Sequence, residues 1–234
     1  MQRVLITGSN RGIGLELARQ YAQRGAMVFA TCRSPQSADE LNALAHQHEH
    51  MRVVQLDAGD PASIAAAADA VRAQVDGLEV LINNGAVNPR DDRVRTFGQL
   101  EPEPILDVLR INAIGPILVA QAFADLLRRG DRARVVNISS GAGSLTRQAN
   151  GCGYTYNASK AALNMFSRCL AGTLKSDGIV TIMLNPGWVR TDMGGSGANL
   201  SVEQSAQGII NVTEKLTMDD NGAFLQWDGQ TLPW

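Results

Sequence analysis

Tyr156 and Lys160 stand four residues apart in Tyr156-Asn157-Ala158-Ser159-Lys160. On a helix that spacing places both on one face, a turn apart. A free phenol titrates near 10, about three units above neutrality, and is a poor acid–base group unless shifted. A neighbouring ammonium stabilises the phenolate and lowers that value. Such a pair can pass a proton to or from an oxygen on a bound molecule. Upstream, Val135-Val136-Asn137-Ile138 reads as a strand running into Ser139-Ser140-Gly141. A serine at a strand's carboxyl end can donate to an oxygen on which charge develops. Ser140 is the better placed of the two because it clears the strand. Asn112, in Arg110-Ile111-Asn112-Ala113, can bond backbone and water inside a helix. It could hold a water beside Lys160 and relay protons; taken alone it is equally an ordinary polar helix residue.

A tyrosine and lysine at this spacing gain meaning from their surroundings. Near the start, an apolar run ends in Thr7-Gly8-Ser9-Asn10-Arg11-Gly12-Ile13-Gly14, where a helix begins. Gly8 allows a tight turn, Gly12 lets a pyrophosphate approach the backbone, and Gly14 lets helix pack closely on strand. The helix N-terminus offers free N–H groups and a positive dipole end to phosphates. The spacing Gly-x-x-x-Gly-x-Gly differs from the general dinucleotide pattern. The second strand ends in Ala30-Thr31-Cys32-Arg33, without the acid that would bond a ribose 2′-hydroxyl. Arg33 and Arg11 can instead clamp a 2′-phosphate through charge-assisted forks, which predicts NADP(H) over NAD(H). The alternative is that both are solvated surface arginines. Asp57, beside Ala58, can accept from the adenine amino group or simply cap a turn.

The elements that must position these residues alternate. Strands are predicted at Val4–Thr7, Met27–Thr31, Arg52–Leu56, Leu78–Ile82, Arg134–Ser139 and Ile179–Leu184. Helices are predicted near Gly12–Arg24, Pro35–Gln47, Pro61–Gln74, Glu103–Arg129, Tyr154–Lys175 and Val202–Leu216. Alternation of this kind implies an α/β fold: a doubly wound parallel sheet with helices on both faces. The near-continuous apolar character of the strands agrees with burial on both sides. Loops at the strands' carboxyl ends then form the ligand site. The Gly194-Gly195-Ser196-Gly197 stretch is expected to be a flexible loop there.

The chain of 234 residues, 44% hydrophobic and 19% charged, suits one globular domain. A net charge of −2 gives no bulk attraction to nucleic acid or anionic membrane. Neither a secretory peptide nor a membrane span is expected. Cys32, Cys152 and Cys169 form no Cys-x-x-Cys pair and read as free thiols in the cytoplasm. His46 and His50 would share a helical face, but no third ligand lies near, so no metal is expected.

Together these residues resemble the short-chain dehydrogenase/reductase superfamily over essentially the whole chain. The family's Thr-Gly-x-x-x-Gly-x-Gly matches Thr7, Gly8, Gly12 and Gly14, and its Asn-Ser-Tyr-Lys set matches Asn112, Ser140, Tyr156 and Lys160. Its proline-glycine motif matches Asn185-Pro186-Gly187-Trp188-Val189-Arg190-Thr191. The segment from Gly143 to Asn164 and the tail from Gly222 to Trp234 look like the C-factor-like and sniffer-like carbonyl reductases, where the second tyrosine of Tyr-x-Tyr acts; this selects Tyr156 over Tyr154.

The resemblance implies a single-domain Rossmann fold over residues 1–234. It implies an oxidoreductase that reduces an aldehyde, ketone or quinone with NADP(H), with Tyr156 as general acid. The cofactor would be held by Gly8, Asn10, Arg11, Gly12, Ile13, Arg33, Asp57, Asn83, Gly85, Tyr156, Lys160, Pro186, Gly187, Val189 and Thr191. Thr191 would bond the nicotinamide carboxamide or a phosphate, and Val189 would also meet the carboxamide. A homodimer through Glu103–Arg129 and Tyr154–Lys175 is also implied. One departure is Asn83-Asn84-Gly85-Ala86, where the family has Asn-Asn-Ala-Gly; Ala86 puts a methyl where the backbone passes the adenine ribose. The alternative reading is a non-catalytic NADP-binding sensor on the same fold.

Overall fold

A computed structural model describes residues 1–147 and 153–234. Seven strands, β1 (Arg3–Ile6), β2 (Met27–Cys32), β3 (Met51–Gln55), β4 (Val80–Asn83), β5 (Arg134–Ile138), β6 (Val180–Asn185) and β7 (Phe224–Gln226), form one sheet in the order β3-β2-β1-β4-β5-β6-β7. Every pairing is parallel, with Ile6 opposite both Ala30 and Ile82. The order reverses between β1 and β4, which opens a crevice at their carboxyl ends.

The helices are α1 (Gly12–Gln23), α2 (Asp39–Gln47), α3 (Pro61–Arg72), α4 (Asp92–Arg95), α5 (Pro102–Leu109), α6 (Gly115–Ala122), α7 (Ala124–Arg129), α8 (Tyr154–Leu174) and α9 (Val202–Lys215). Side chains alternate across the strands and feed two cores. Val4 and Ile6 pack with Leu17, Tyr21, Leu41, Ile209 and Ile210 beneath α1, α2 and α9. Leu5, between them, points the other way to Ile64, Val71, Val119 and Phe123 beneath α3 and α6. The predicted β/α alternation and two covered faces are therefore what the chain forms.

Three expectations are corrected. The predicted helix Glu103–Arg129 is interrupted: Arg110–Ile114 is a π-helical turn between α5 and α6, and a further break separates α7. The predicted helix Pro35–Gln47 divides into a single 3-10 turn, Pro35–Ser37, and α2. The three-residue strand β7 was not anticipated.

Within the continuous path Pro102–Ala122, 21 residues long, an 18-residue stretch has a mean hydropathy of 1.5, long and apolar enough on those grounds alone to cross a membrane. Val108, Ala113, Val119 and Ala120 on that path are instead buried in the protein. Helix α2 ends at Gln47, so His50 lies off it, and among the described residues no His, Cys, Asp or Glu group is arranged to hold a metal. Cys32 is buried and Cys169 exposed, both as free thiols; Cys152 lies outside the described residues.

Candidate active site

The glycine loop bridges β1 and α1. Gly8 has φ +67° and Gly12 φ +55°, conformations that glycine adopts without steric cost. A methyl on Gly8 would sit 2.7 Å from the Gly85 Cα, so two backbones pass in direct contact. Arg11, at the N-cap of α1, has extended backbone; no side chain caps the helix and no acid occupies its first turn. An uncapped N-terminus of this length is electrostatically open to an anion.

Two adjoining cavities flank this loop, and Gly8, Asn10, Arg11, Gly85 and Ala86 line both. The smaller, about 260 Å³, also meets Arg33, Ser34, Ser37, Asp57 and Ala58. The larger, about 500 Å³, continues past Gly12 and Ile13 to Tyr156, Lys160, Pro186 and Thr191. An extended, phosphate-bearing molecule fits this arrangement: glycine cradle, helix end and Arg11 in the middle, Arg33 at one end, Tyr156 and Lys160 at the other.

Lys160 and Tyr156 do share a face of α8. Lys160 Nζ lies 5.9 Å from the Tyr156 ring centroid and donates to the Ile138 carbonyl at 2.8 Å. Burial pushes the lysine down to about 8. Burial likewise pushes the Tyr156 phenol up, and a hydrogen bond with Ser140 opposes that rise. The Ala142 N–H donates to Ser140 Oγ at 3.1 Å, which occupies an oxygen lone pair and leaves the hydroxyl proton free to donate. Ser139 is turned inward and donates to Asn164 Oδ1 at 2.6 Å. Tyr154 is exposed and stacks on Phe97. Of the two tyrosines, Tyr156 lines the larger cavity; of the two serines, Ser139 lines it while its hydroxyl turns to Asn164, and Ser140 bonds the phenol.

The buried ammonium has a consequence for stability. An unfolded lysine titrates near 10.5 and Lys160 near 8. Between those values the unfolded chain binds more protons, so stability rises with pH. The full penalty applies below the window and none applies above it. We expect wild-type stability, measured against Lys160→Met without added nucleotide, to rise across this window by at most about 1.4 kcal/mol per pH unit. A difference independent of pH would show that the ammonium is not desolvated.

The other expected residues lie around this pair. Asn112 is fully buried in the π turn. Its carboxamide accepts from Val87 N–H at 2.8 Å and donates to the Val87 carbonyl at 2.8 Å and Ser159 Oγ at 3.1 Å. The side chain therefore braces the loop after β4 and makes no bond to Lys160. Asn83 lines neither cavity; it is buried and donates to the Pro116 carbonyl and Asn137 Oδ1. Its neighbour Asn84 faces the site and donates to the carbonyls of Thr7 and Gly8, both at 3.1 Å. The Val189 side chain is buried, with the residue bridged to Leu200, and Gly187 (φ +84°) shapes the turn against Leu200 and Trp227. Thr191 reaches the glycine loop, 3.4 Å from where a Gly12 methyl would stand. Asp57 caps a turn by accepting from Gly59 N–H at 2.9 Å, while also lining the smaller cavity. Sequence reasoning missed Asn84, and also Asp192, whose carboxylate meets Arg11 at 2.9 Å across 181 residues of chain.

The short chain dehydrogenase family profile matches residues 2–199. Among solved structures, the chain is similar to the NADPH-bound carbonyl reductase from chicken fatty liver, at 37% identity and TM-score 0.93 over 100% of this chain and 99% of that one. It is also similar to the carbonyl reductase Sniffer of D. melanogaster, at 33% identity and TM-score 0.92 over 100% of both. The C-signal protein of Myxococcus xanthus is 38% identical over 157 residues, 67% of this chain and 93% of that protein. With a family profile spanning most of its length and the sheet order and glycine loop described above, the chain belongs to the short-chain dehydrogenase family.

Proposed function

We propose that this protein is an NADP(H)-dependent reductase of aldehydes, ketones or quinones, with Tyr156 as the general acid. The observation that carries the reading is that Tyr156, hydrogen-bonded with Ser140, and Lys160 line one cavity while Arg33 lines the adjoining one, with Arg11 and the glycine loop shared between them. In this reading the α1 N-terminus and Gly12 hold the pyrophosphate, Arg33 and Arg11 the 2′-phosphate, Lys160 the nicotinamide ribose, and Thr191 the carboxamide. A bound reduced nicotinamide supplies the hydride. Ser140 donates to the carbonyl oxygen as negative charge develops there. Tyr156 delivers its proton to the same oxygen. A buried phenol whose pKa is pushed up remains protonated at neutral pH, the form a reductase needs. Lys160 stabilises the phenolate left behind.

The Arg11–Asp192 pair is exposed on both sides, so releasing Arg11 to a phosphate costs less than about 1 kcal/mol. Arg33→Ala removes a charge-assisted contact of roughly 1.5–3 kcal/mol, so NADPH should bind roughly 10- to 100-fold more weakly while NADH is unchanged. Fluorescence titration with each nucleotide checks this; equal losses for both would mean that Arg33 does not read the 2′-phosphate.

A cytoplasmic homodimer belongs to the same proposal, supported by exposed Leu106 and Ile114 on the α5–α6 path and Met165 and Phe166 on α8. The similarity to the C-signal protein favours a second reading, a nucleotide-binding signalling protein. Oxidation of NADPH by the purified protein against a panel of aldehydes, ketones and quinones separates the two: the reductase reading expects turnover with NADPH and little with NADH. Bound NADPH with no turnover across the panel would favour the signalling reading.

A further inference from the structure

Helix α8 carries more than Tyr156 and Lys160 on its sheet-facing side. Asn164 follows Lys160 by four residues and so continues the same stripe. Three residues of this stripe bond the end of β5 and its continuation. Lys160 donates to the Ile138 carbonyl, Asn164 accepts from Ser139 Oγ, and Ser167 Oγ accepts from Asn137 Nδ2 at 2.8 Å.

Asn164 does something the other two do not. Its Oδ1 takes the Ser139 hydroxyl at 2.6 Å while its Nδ2 donates to the Gly143 carbonyl at 3.2 Å. Ser139 precedes, and Gly143 closes, the short turn that presents Ser140. One buried carboxamide therefore ties both ends of that turn to the helix bearing Tyr156. The contact is close: a methyl on Gly143 would lie 2.9 Å from the Lys160 carbonyl carbon and 3.0 Å from Asn164 Nδ2. Asn164, Ser139 and Gly143 are all buried, where a satisfied polar network fixes geometry more strictly than apolar packing does. A third tie, Gly141 N–H to Asn185 Oδ1 at 3.1 Å, holds the turn's middle from β6.

We propose that Asn164 is a positioning residue that sets the distance and angle between the Ser140 hydroxyl and the Tyr156 phenol. It touches neither substrate nor nucleotide in this account. It acts by making the serine turn and the tyrosine helix one rigid unit, so that the hydrogen-bond donor and the acid meet a single oxygen together. The inference rests on the reductase reading for its kinetic consequence, whereas its structural consequence can be read without turnover.

The test compares Asn164→Ala and Ser139→Ala with wild type, all with NADPH bound. Among the described residues, the groups facing the phenol are the Ser140 hydroxyl from the turn and the Lys160 side chain from its own helix, which has already lost its proton where the phenol ionises, so the Ser140 bond is the contact the titration reads. Loosening the turn should weaken the Ser140 bond and raise the pH at which Tyr156 ionises. That midpoint is read from tyrosinate ultraviolet absorbance, with Tyr156→Phe subtracted to isolate the signal. For Asn164→Ala we expect the midpoint to rise, kcat at saturating NADPH to fall about 10- to 100-fold, and the NADPH Kd to stay within about twofold. Ser139→Ala, which deletes only a hydroxyl and keeps the test alive if Asn164→Ala does not fold, should shift both readings in the same direction by less. Adding Ser139→Ala to Asn164→Ala should cost little more, because both remove the same bond. A folded variant with wild-type kcat and an unmoved Tyr156 midpoint would overturn the proposal. Wild-type protein without turnover would count against the reductase reading alone, and the titration would still decide the role of Asn164.

Discussion

Tyr156→Phe is expected to lower kcat for carbonyl reduction by about 10²- to 10⁴-fold, the range of a lost general acid. The substitution removes one oxygen and leaves the ring in place beside Lys160. Nothing in the glycine loop or at Arg33 changes, so the NADPH Kd should stay within about twofold. Losing kcat while keeping nucleotide affinity marks a group that acts mainly in the transition state. Steady-state kinetics and fluorescence titration on the same preparation measure both. A variant retaining most of its activity would mean that another group supplies the proton.

Gly14→Ala should be the most damaging small substitution in the cofactor half of the site. Its methyl would be driven against the Gly8 carbonyl and would stand 2.6 Å from Asn84 Nδ2. Those atoms belong to the bonds Asn84 makes to the glycine loop, so the loop must open or α1 must move. Overpacking of this kind costs about 1–3 kcal/mol of stability. The displaced helix N-terminus no longer meets the pyrophosphate, and NADPH affinity should fall by about 100-fold or more, as for loss of several charge-assisted bonds. Gly172→Ala provides the control. It lies in the last turn of α8 with nothing within 4 Å of the added methyl, so replacing this helical glycine should stabilise by up to roughly 0.5–1 kcal/mol. Denaturant unfolding of both variants tests the contrast; a Gly14→Ala protein of wild-type stability and affinity would show that the loop is not close-packed.

These two substitutions fall where the sequence was most legible. Tyr156 and Lys160 were readable because helical spacing alone places them together. The glycine loop was readable because its glycines answer to a turn and a close approach. Other parts depended on contacts between distant segments. The helical periodicity runs unbroken through Arg110–Ile114, and nothing local announces a π turn. The turn coincides with the bonds that tie Asn112 to Val87, 25 residues away. Asn83 and Asn84 are adjacent and identical in chemistry, so only the strand's facing, fixed by the pairing of β4 with β1 and β5, decides which meets the site. Strand β7 is too short for a periodic signal and forms where Leu225 joins the core beneath α1, α2 and α9 while Phe224 packs with Met183 of β6 and with Leu232 in a separate small cluster. Asn164 could have been found: it repeats the spacing of Tyr156 and Lys160 once more along the same helix.

The central claim is that hydride passes to a carbonyl carbon in this site while Tyr156 protonates the oxygen. Incubating the purified protein with NADPH deuterated at the transferable position, together with the best carbonyl from the panel, tests it most directly by mass spectrometry of the product. We expect an alcohol carrying one deuterium on its carbinol carbon, formed by wild type and about 10²- to 10⁴-fold more slowly by Tyr156→Phe. Nucleotide that stays bound and unoxidised while the carbonyl is recovered unchanged would contradict it.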